Sequence, residues 1–238
     1  MKTIGLLGGT GWSSTIGYYK ILNELVNERL GGYHSAKILL KSIDYHDIMM
    51  NYGKNHETIA KLLKKELNEL FCLSPDSVMI CCNSLHKYYD MIKDELDLTI
   101  PVFHALDLVA KHINEKSYHK VLLLATKFTM EDGFFSSKLT QSGIDMTIPD
   151  QNEREAIHVI HTQLMQNIVT ENSRNYFKNL IRKYGNLDAI VLGCTEFPLV
   201  VTQNDSLLPI IDPMYLQATA AVHYSLDDIE DLSSKVSV

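Results

Sequence analysis

The stretch at residues 78–89, VMICCNSLHKYY, contains the junction on which the predicted fold depends. An apolar run ends at the pair Cys81 and Cys82, and the apolar residues that follow recur at helical spacing. Between them, Asn83 and Ser84 are residue types that often cap helix N-termini. The pattern predicts a buried strand that ends at Cys82 and turns tightly into a helix.

Cys82 is therefore expected at the carboxyl end of a strand, where open α/β sheets bind their ligands. The backbone amides of Asn83 and Ser84 would lie beside it at a helix start, which attracts carboxylates and lowers the pKa of a nearby thiol. His86 follows within the first helical turn. It either tunes the pKa of the Cys82 thiol or makes an ordinary structural hydrogen bond, and the residues alone leave both interpretations open.

A second stretch, AIVLGCTEFP at residues 189–198, repeats this arrangement. An apolar run again ends at a cysteine, Cys194, and Thr195 follows as a small capping residue. Glu196 either tunes the Cys194 thiol or complements a helix dipole as a first-turn acid. Two cysteines at equivalent strand ends indicate either two separate sites or one shared site.

The order of features along the chain favours one shared site. Each half contains a strand, a threonine-bearing loop, a helix, and a later strand that ends at a cysteine. Thr10 and Thr126 are 116 positions apart, and Cys82 and Cys194 are 112 apart. Similar offsets predict a duplicated α/β unit. If the halves face each other about a pseudo-two-fold axis, both thiols lie in one interdomain cleft.

The remaining pattern predicts an α/β protein of two similar domains. Apolar runs predict strands at residues 3–7, 36–42, 78–82, 102–105, 119–125, 146–149, 189–193 and 209–211. Helical spacing predicts, among others, helices at 56–71, 130–142, 153–167, 172–183 and 213–224, and residues 44–53 are expected to form a loop. The first domain would comprise residues 1–100 plus 212–226 and the second 101–211, and the acidic, serine-rich segment 227–238 would be a flexible tail.

Composition excludes several classes of partner. The chain has 238 residues and a formal net charge of −7, which disfavours nucleic acid and anionic membranes as partners. No apolar run approaches the roughly 20 residues that a membrane span needs. The N-terminal apolar stretch, MKTIGLLGG, is too short for a signal peptide, so we expect a cytoplasmic protein.

The four cysteines are expected to be core residues or reagents, because no CxxC and no zinc-ligand spacing is present. Alternation along the strand sends Cys81 and Cys82 to opposite sides, so one can be core while the other faces the ligand. His158 and His161 stand three apart on a predicted helix. Without a third ligand in view they indicate a solvated face, and no metal is expected.

Paired thiols suit a reaction that is itself nearly symmetric. Racemisation removes a proton from one face of a carbon and returns another to the opposite face. A thiol with a reference pKa of about 8.5 needs only modest lowering to act near neutrality. Backbone amides at helix starts would bind the substrate carboxylate. No cofactor is needed for this chemistry.

Three motifs in this order, LGGTGWSST, CCNSLHK and GCTEFPL, resemble the aspartate/glutamate racemase superfamily over nearly the whole chain. The resemblance implies a cofactor-independent amino-acid racemase and a homodimer, with two α/β domains, each built on a four-stranded parallel sheet. It implies that Cys82 and Cys194 are the catalytic acid/base groups. It assigns substrate binding to Thr10, Asn83, Ser84, Thr126 and Thr195.

The sequence departs from the aspartate-specific members of that superfamily. Those members grip the substrate side chain with an Arg and a Lys, at positions that fall near Ile48 and Leu164 here. The N-terminal run is more similar to the broad-specificity and glutamate-preferring branch. We therefore do not expect aspartate specificity unless Lys54, His46 or His56 supplies the charge.

Other functions remain open at this stage. A hydantoin racemase or a maleate isomerase would keep the fold and the two thiols but change the reaction. A non-catalytic amino-acid-binding protein would keep only the cleft. A thiol oxidoreductase is disfavoured because the chain has no CxxC.

Overall fold

The chain divides into two compact units, one formed by Met1–His104 together with the chain from Met214 onward, the other by Ala105–Pro213. The computed structural model describes residues 1–235, and for residues 228–235 it describes the backbone alone. The N-terminal part of the first unit contains these elements in chain order: β1 (Ile4–Gly8), α1 (Trp12–Leu30), β2 (Ile38–Ser42), α2 (His46–Met49), α3 (His56–Phe71), β3 (Ser77–Ile80) and α4 (Leu85–Ile92).

The first unit is built on a parallel three-stranded sheet of order β2-β1-β3. Every residue of β1 and β3 is buried, as expected for strands of a parallel sheet covered on both faces. The predicted fourth strand at 102–105 is wrong, because Val102 forms only an isolated bridge to Val78. Pro101 has no N–H to donate and a helix begins at Ala105, so the segment has no room for a longer ladder.

The second unit is built on a parallel four-stranded sheet of order β5-β4-β6-β7, which confirms the predicted four-stranded sheet in this unit. Its elements in chain order are α5 (Ala105–Glu115), β4 (Lys120–Leu124), α6 (Lys127–Glu131), α7 (Phe134–Gln141), β5 (Asp145–Thr147), α8 (Gln151–Met165), α9 (Glu171–Lys183), β6 (Ala189–Leu192) and β7 (Ile210–Ile211). The chain then enters α10 (Pro213–Lys235), which belongs to the first unit from Met214 onward.

The same strand-end hydrogen bonds recur in both units. Asp76 accepts from the backbone N–H of Thr3 at 2.6 Å, and Asp188 accepts from that of His119 at 2.7 Å. The next pair along the chain, Val78 and Ile190, donates to the carbonyls of Pro101 and Pro209, each at 2.9 Å. Asp76 and Asp188 are 112 residues apart, as are Val78 and Ile190, the same offset as Cys82 and Cys194. A repeated α/β unit accounts for this agreement.

Three local predictions differ from the structure. The predicted helix 130–142 is two helices, α6 and α7, because Gly133 adopts a left-handed conformation with φ of 79° between them. The predicted loop 44–53 contains the short helix α2, and the predicted strand 102–105 gives way to α5, which begins at Ala105.

The helix predicted at 213–224 is longer in the structure. Helix α10 continues past the predicted end at Tyr224 to Lys235, and no glycine or proline follows Pro213 to interrupt it. Residues 236–238 of the predicted tail lie outside the described residues. Among the described helices, none is both long enough and apolar enough to cross a bilayer.

Replacing Asp188 should destabilise the second unit in a pH-dependent way. Its carboxylate accepts from the backbone N–H groups of His119 and Lys120 at 2.7 and 2.8 Å, and these bonds lower its pKa. Asp188→Asn should therefore cost about 1 kcal/mol of unfolding free energy at pH 7. The stabilisation is present above the unfolded-state pKa of about 3.9 and is lost as the pH falls through the lowered folded-state value.

Urea unfolding of the native protein and of Asp188→Asn, at pH 7 and near pH 3, measures the difference in unfolding free energy. Asp145→Asn is the control, because that carboxylate is exposed on β5. The gap between native protein and the Asp188 variant should shrink at the lower pH. A gap that stays constant between the two pH values would contradict the assignment.

Candidate active site

The two adjacent cysteines occupy opposite sides of the first sheet, as predicted. Cys81 extends the pairing of β3 by donating its N–H to the carbonyl of Leu7 at 2.9 Å, and its side chain is fully buried in the core beneath α1. Burial, with the neighbouring Cys82 charge, raises the pKa of the Cys81 thiol. Cys82 is only half-buried and packs against the other core, beside α3 and α4. Cys82 is therefore the thiol available to a ligand.

A closed circuit of polar groups surrounds Cys82, and we call it the hydroxyl ring: Cys82, Ser84, Tyr52 and Tyr45. The Cys82 Sγ lies 3.3 Å from Ser84 Oγ, which lies 2.8 Å from the Tyr52 hydroxyl. That hydroxyl is 3.0 Å from the Tyr45 hydroxyl, which closes the circuit at 3.8 Å from Sγ. Burial, then the charge of Cys82, raises the pKa of both tyrosines. They therefore stay neutral, and the Tyr45 hydroxyl donates to that of Tyr52.

Ser84 does not play its predicted capping role. It stands immediately before α4, but its side chain accepts no hydrogen bond from the helix backbone. The hydroxyl instead joins the hydroxyl ring, because the turn after Cys82 directs it toward the sulfur. The residue predicted to support a helix start thus contacts the candidate acid/base thiol directly.

Asn83 carries the clearest sign of a ligand-binding role. Its side chain is only 3% exposed, and neither its Oδ1 nor its Nδ2 has a hydrogen-bond partner among the described residues. A buried polar group without a partner costs about 1–3 kcal/mol. A ligand that both donates and accepts hydrogen bonds, such as the ammonium and carboxylate of an amino acid, would remove this cost.

Thr10 is held against the end of β3 by a close approach of the loop after β1. Its hydroxyl donates to the carbonyl of Cys81 at 3.0 Å. The preceding Gly9 has φ of 89°, and a Cβ there would collide with the backbone of Ile43. The loop can therefore reach the cysteine-bearing strand end only with glycine at this position.

The hydrogen bonds of His86 anchor α4 to α10. Gln217 Nε2 donates to the Phe103 carbonyl at 2.7 Å and contacts His86 Nε2 at 3.3 Å, while Tyr18 donates to the Gln217 Oε1 at 2.7 Å. Since the Gln217 Nε2 can only donate, His86 Nε2 is the acceptor in this contact. The ring also packs 4.4 Å from that of His104, centroid to centroid. This arrangement provides a structural role for a fully buried histidine.

In the second unit, Cys194 is presented by a similarly tight strand end. Gly193 donates its N–H to the Leu124 carbonyl at 2.7 Å, and a Cβ at Gly193 would lie only 2.7 Å from Leu123 Cδ1. Cys194, 6% exposed, donates its S–H to Glu196 Oε2 at 2.9 Å. Thr195 donates to the same oxygen at 3.2 Å.

The predicted helix start after Cys194 is wrong. Only one turn of 3₁₀-helix, Phe197–Leu199, follows, and Thr195 is not its capping residue. A single 3₁₀ turn has almost no dipole for an acid to complement. Of the two interpretations of Glu196, the structure favours a partner of the thiol, because the carboxylate accepts a hydrogen bond from the Cys194 S–H.

His161 is the residue that the sequence interpretation missed. Its ring nitrogen, the Cys194 sulfur and a Glu196 oxygen all lie within 4.8 Å of one another. Burial lowers the pKa of His161, the Glu196 charge opposes that shift, and His158 adds to it. His161 thus does not belong to a solvated face, although His158 is exposed. The available signal was the spacing of α8, since His161 lies on the face of the buried residues Ile157 and Leu164.

Three other positions singled out in the sequence are Thr126, Ile48 and Leu164. Thr126 caps α6, accepting from the Thr129 N–H at 3.1 Å and donating to the Thr129 hydroxyl at 2.8 Å. Ile48 and Leu164 are buried, with 2% and 0% exposure. Ile48 belongs to the same core cluster against which Tyr45 and Cys82 pack. Apolar side chains therefore occupy both positions.

Known proteins share this combination of sequence and fold. The profile of the Asp/Glu/Hydantoin racemase family matches residues 7–221. The chain is 21% identical over 229 residues to the broad specificity amino-acid racemase RacX of Bacillus subtilis strain 168, which covers 92% of this chain and 96% of RacX.

Solved structures are similar as well. A candidate Asp/Glu racemase from Yersinia pestis is 37% identical, with a TM-score of 0.83, and the match covers 95% of this chain and 100% of that one. An aspartate racemase homologue from Pyrococcus horikoshii OT3 is 27% identical, also with a TM-score of 0.83, over 94% of this chain and 99% of that one.

The difference between Cys81 and Cys82 should be visible in thiol labelling. At pH 8, iodoacetamide should alkylate Cys82 at least about tenfold faster than Cys81, because Cys81 is buried and its raised pKa leaves little thiolate. Mass spectrometry of timed samples gives the rates. Cys81→Ala should leave the number of fast-reacting thiols unchanged, whereas Cys82→Ala should reduce it by one. A reduction in the Cys81 variant would contradict the burial assignment.

Proposed function

Since its profile match shows that the chain belongs to the Asp/Glu/Hydantoin racemase family, we propose that it is a cofactor-independent amino-acid racemase that uses Cys82 and Cys194 as its two acid/base groups. Family membership confirms the resemblance carried by the three motifs. The observation that supports the proposal most is that each strand-end cysteine has its own polar partner. Ser84 contacts the sulfur of Cys82, and Glu196 accepts a hydrogen bond from the S–H of Cys194.

In the proposed reaction, one cysteine acts as a thiolate and removes the α-proton of the bound amino acid. The electron pair left on the α-carbon is shared with the substrate carboxylate, whose charge increases. The other cysteine, as a thiol, then donates its proton to the opposite face of the same carbon. The two cysteines exchange roles in the reverse direction, so both enantiomers are substrates.

The surroundings of the two sulfurs favour different protonation states. Around Cys82, the hydroxyl of Ser84 can donate a hydrogen bond to the sulfur, which favours the thiolate. At Cys194, the Glu196 carboxylate accepts the S–H bond at 2.9 Å and holds the thiol proton in place. The pairing is consistent with a resting state in which Cys82 is the base and Cys194 the acid.

Substrate binding is proposed for five polar residues: Thr10, Asn83, Ser84, Thr126 and Thr195. The buried amide of Asn83 is the best supported of these, because its donor and its acceptor both lack partners in the described part of the chain. An α-carboxylate can accept from Nδ2 and an α-ammonium can donate to Oδ1. His86 and Glu196 are proposed to tune the two thiols, Glu196 directly and His86 through the position of α4.

The side-chain specificity is proposed to be broad or glutamate-type, without a strong aspartate preference. Ile48 and Leu164 are buried and apolar, and the phenols of Tyr45 and Tyr52 are neutral because burial raises their pKa. A second carboxylate buried beside these groups would pay a desolvation cost of several kcal/mol without a cationic partner. The exposed Lys54, His46 and His56 remain the candidates for a longer substrate to reach.

A hydantoin racemase is the second candidate, because the family profile includes that activity by name. Its substrate is a neutral ring rather than an amino acid. Incubating the chain in deuterium oxide with single L-amino acids or with a substituted hydantoin separates the two functions. Loss of the α-proton signal from the amino acid, with appearance of the D-form, supports the first. Exchange confined to the hydantoin would overturn it.

Either catalytic cysteine should be indispensable for racemisation. Cys82→Ala and Cys194→Ala should each lower kcat by about a thousandfold or more, because the reaction then lacks a base on one face or an acid on the other. Each variant can still exchange the α-proton of one enantiomer with solvent, since one thiol remains. Chiral chromatography measures racemisation, and proton NMR in deuterium oxide measures exchange.

Cys72→Ala is the matched control, because Cys72 is an exposed cysteine at the end of α3. It should keep the activity of the native protein. Circular dichroism shows whether the other two variants remain folded. A folded Cys82 or Cys194 variant with most of its racemase activity would exclude the two-thiol mechanism.

A panel of L-amino acids tests the specificity. Aspartate should not exceed neutral substrates such as homoserine or methionine by a thousandfold in kcat/KM at neutral pH. The reason is that Ile48 and Leu164 supply no positive charge to its side-chain carboxylate. A larger preference would require roughly 4 kcal/mol of additional transition-state binding and would contradict this description of the pocket.

A further inference from the structure

We propose that His161, Cys194 and Glu196 form a binding site for Zn²⁺ or a similar borderline-soft divalent ion. The bound ion would inhibit the enzyme by occupying the Cys194 sulfur. The binding site is a property of these three residues alone, whereas the inhibition rests on the proposed function. None of the three lies near another in a sequence pattern typical of zinc, which is why the spacing of the cysteines did not reveal the site.

The distances suit a metal with short bonds. The three ligand atoms lie within 4.8 Å of one another, and the Cys194 sulfur is already 2.9 Å from Glu196 Oε2. Tetrahedral zinc with bonds of about 2.0–2.3 Å holds its ligand atoms about 3.5 Å apart. Side-chain rotations that move the ligand atoms by about 1 Å would therefore place them at three corners of a tetrahedron. The fourth corner remains for water, as in other zinc sites with three protein ligands.

The charges also suit a divalent ion. A Cys194 thiolate and a Glu196 carboxylate together carry two negative charges, and a neutral His161 adds none. One Zn²⁺ makes the group electrically neutral, which matters because Cys194 and Glu196 are 6% and 4% exposed. On binding, the metal–sulfur bond replaces the S–H bond, and the thiol proton leaves to solvent.

The donor types select among metals. One sulfur, one imidazole nitrogen and one carboxylate oxygen are typical zinc ligands, whereas Mg²⁺ and Ca²⁺ prefer six or more oxygen ligands. Neighbouring contacts limit the movement of two of the ligands: His161 lies near the Phe197 ring, with centroids 6.4 Å apart, and Glu196 also accepts from Thr195. A site held in this way favours an ion with a low coordination number.

The proposed inhibition follows from the shared sulfur. A zinc-bound thiolate can neither hold nor deliver the proton that the Cys194 side of the reaction requires. Free Zn²⁺ should thus stop racemisation reversibly, and a chelator should restore it. A chelator alone should leave the activity of the metal-free protein unchanged.

Cobalt tests the binding site independently of activity. Co²⁺ titrated anaerobically into the full-length native chain should give tetrahedral visible bands and a thiolate-to-cobalt band in the near ultraviolet, at one equivalent. Excess Zn²⁺ should abolish both, and Mg²⁺ should abolish neither. The thiolate band should vanish in Cys194→Ala and persist in Cys82→Ala, which identifies the sulfur.

The histidine ligand is tested with His161→Gln, which fills much of the same space and is a poor zinc ligand. Affinity for Co²⁺ should fall about a hundredfold or more. The matched control is His158→Gln, an exposed histidine one turn earlier on α8, which should bind as the native chain does. Absence of the thiolate band in the native chain, or full affinity in a folded His161→Gln, would overturn the site.

The inhibition is tested by a separate activity measurement. Native enzyme assayed by chiral chromatography should lose activity in Zn²⁺ at the concentration that displaces Co²⁺, and EDTA should restore it. Saturation with Zn²⁺ without loss of racemisation would overturn the inhibition while leaving the site intact. An enzyme without any racemase activity would instead contradict the proposed function, and the cobalt spectrum would still decide the site.

Discussion

Close approach of the backbone at the strand ends is the constraint on which both thiol sites depend. Gly9 lets the loop after β1 lie against Ile43, and Gly193 lets the chain after β6 lie against Leu123. An added methyl group would meet the backbone of Ile43 at Gly9, and the side chains of Leu123 and Ala125 at Gly193. Without those contacts, neither cysteine would be held at a fixed position relative to its polar partners.

Two equivalent strand ends have acquired different chemistry. Neutral hydroxyls surround Cys82, so this site can stabilise a negative sulfur by donation. A carboxylate and an imidazole lie next to Cys194, so this site can hold a proton or exchange it for a cation. A racemase benefits from the difference, because a resting state with one thiolate and one thiol is ready for an enantiomer of one hand. The same carboxylate and imidazole provide two of the three ligands of the proposed metal site at Cys194.

Residues of the same type have different environments in this protein, and only some of them can take part in acid/base chemistry. Cys81 and Cys82 differ only in the side of the strand that they face. One is a fully buried core residue with a raised pKa, and the other contacts a serine and a tyrosine. His86 and His161 show a similar contrast among histidines. The first anchors a helix through Gln217, and the second lies beside a thiol.

The sequence by itself determined the parallel sheets, the strand-end positions of Cys82 and Cys194 and the family, because apolar runs, glycines and ordered motifs are local signals. It missed the end of the first sheet at Val102, the helix through Lys235 and the 3₁₀ turn after Cys194, since these depend on short-range competition between similar conformations. Only the tertiary structure decided that Ser84 contacts the sulfur instead of capping α4, and that His161 lies beside Cys194. Those contacts join residues on different elements, and packing, which acts across the fold, fixes their distances.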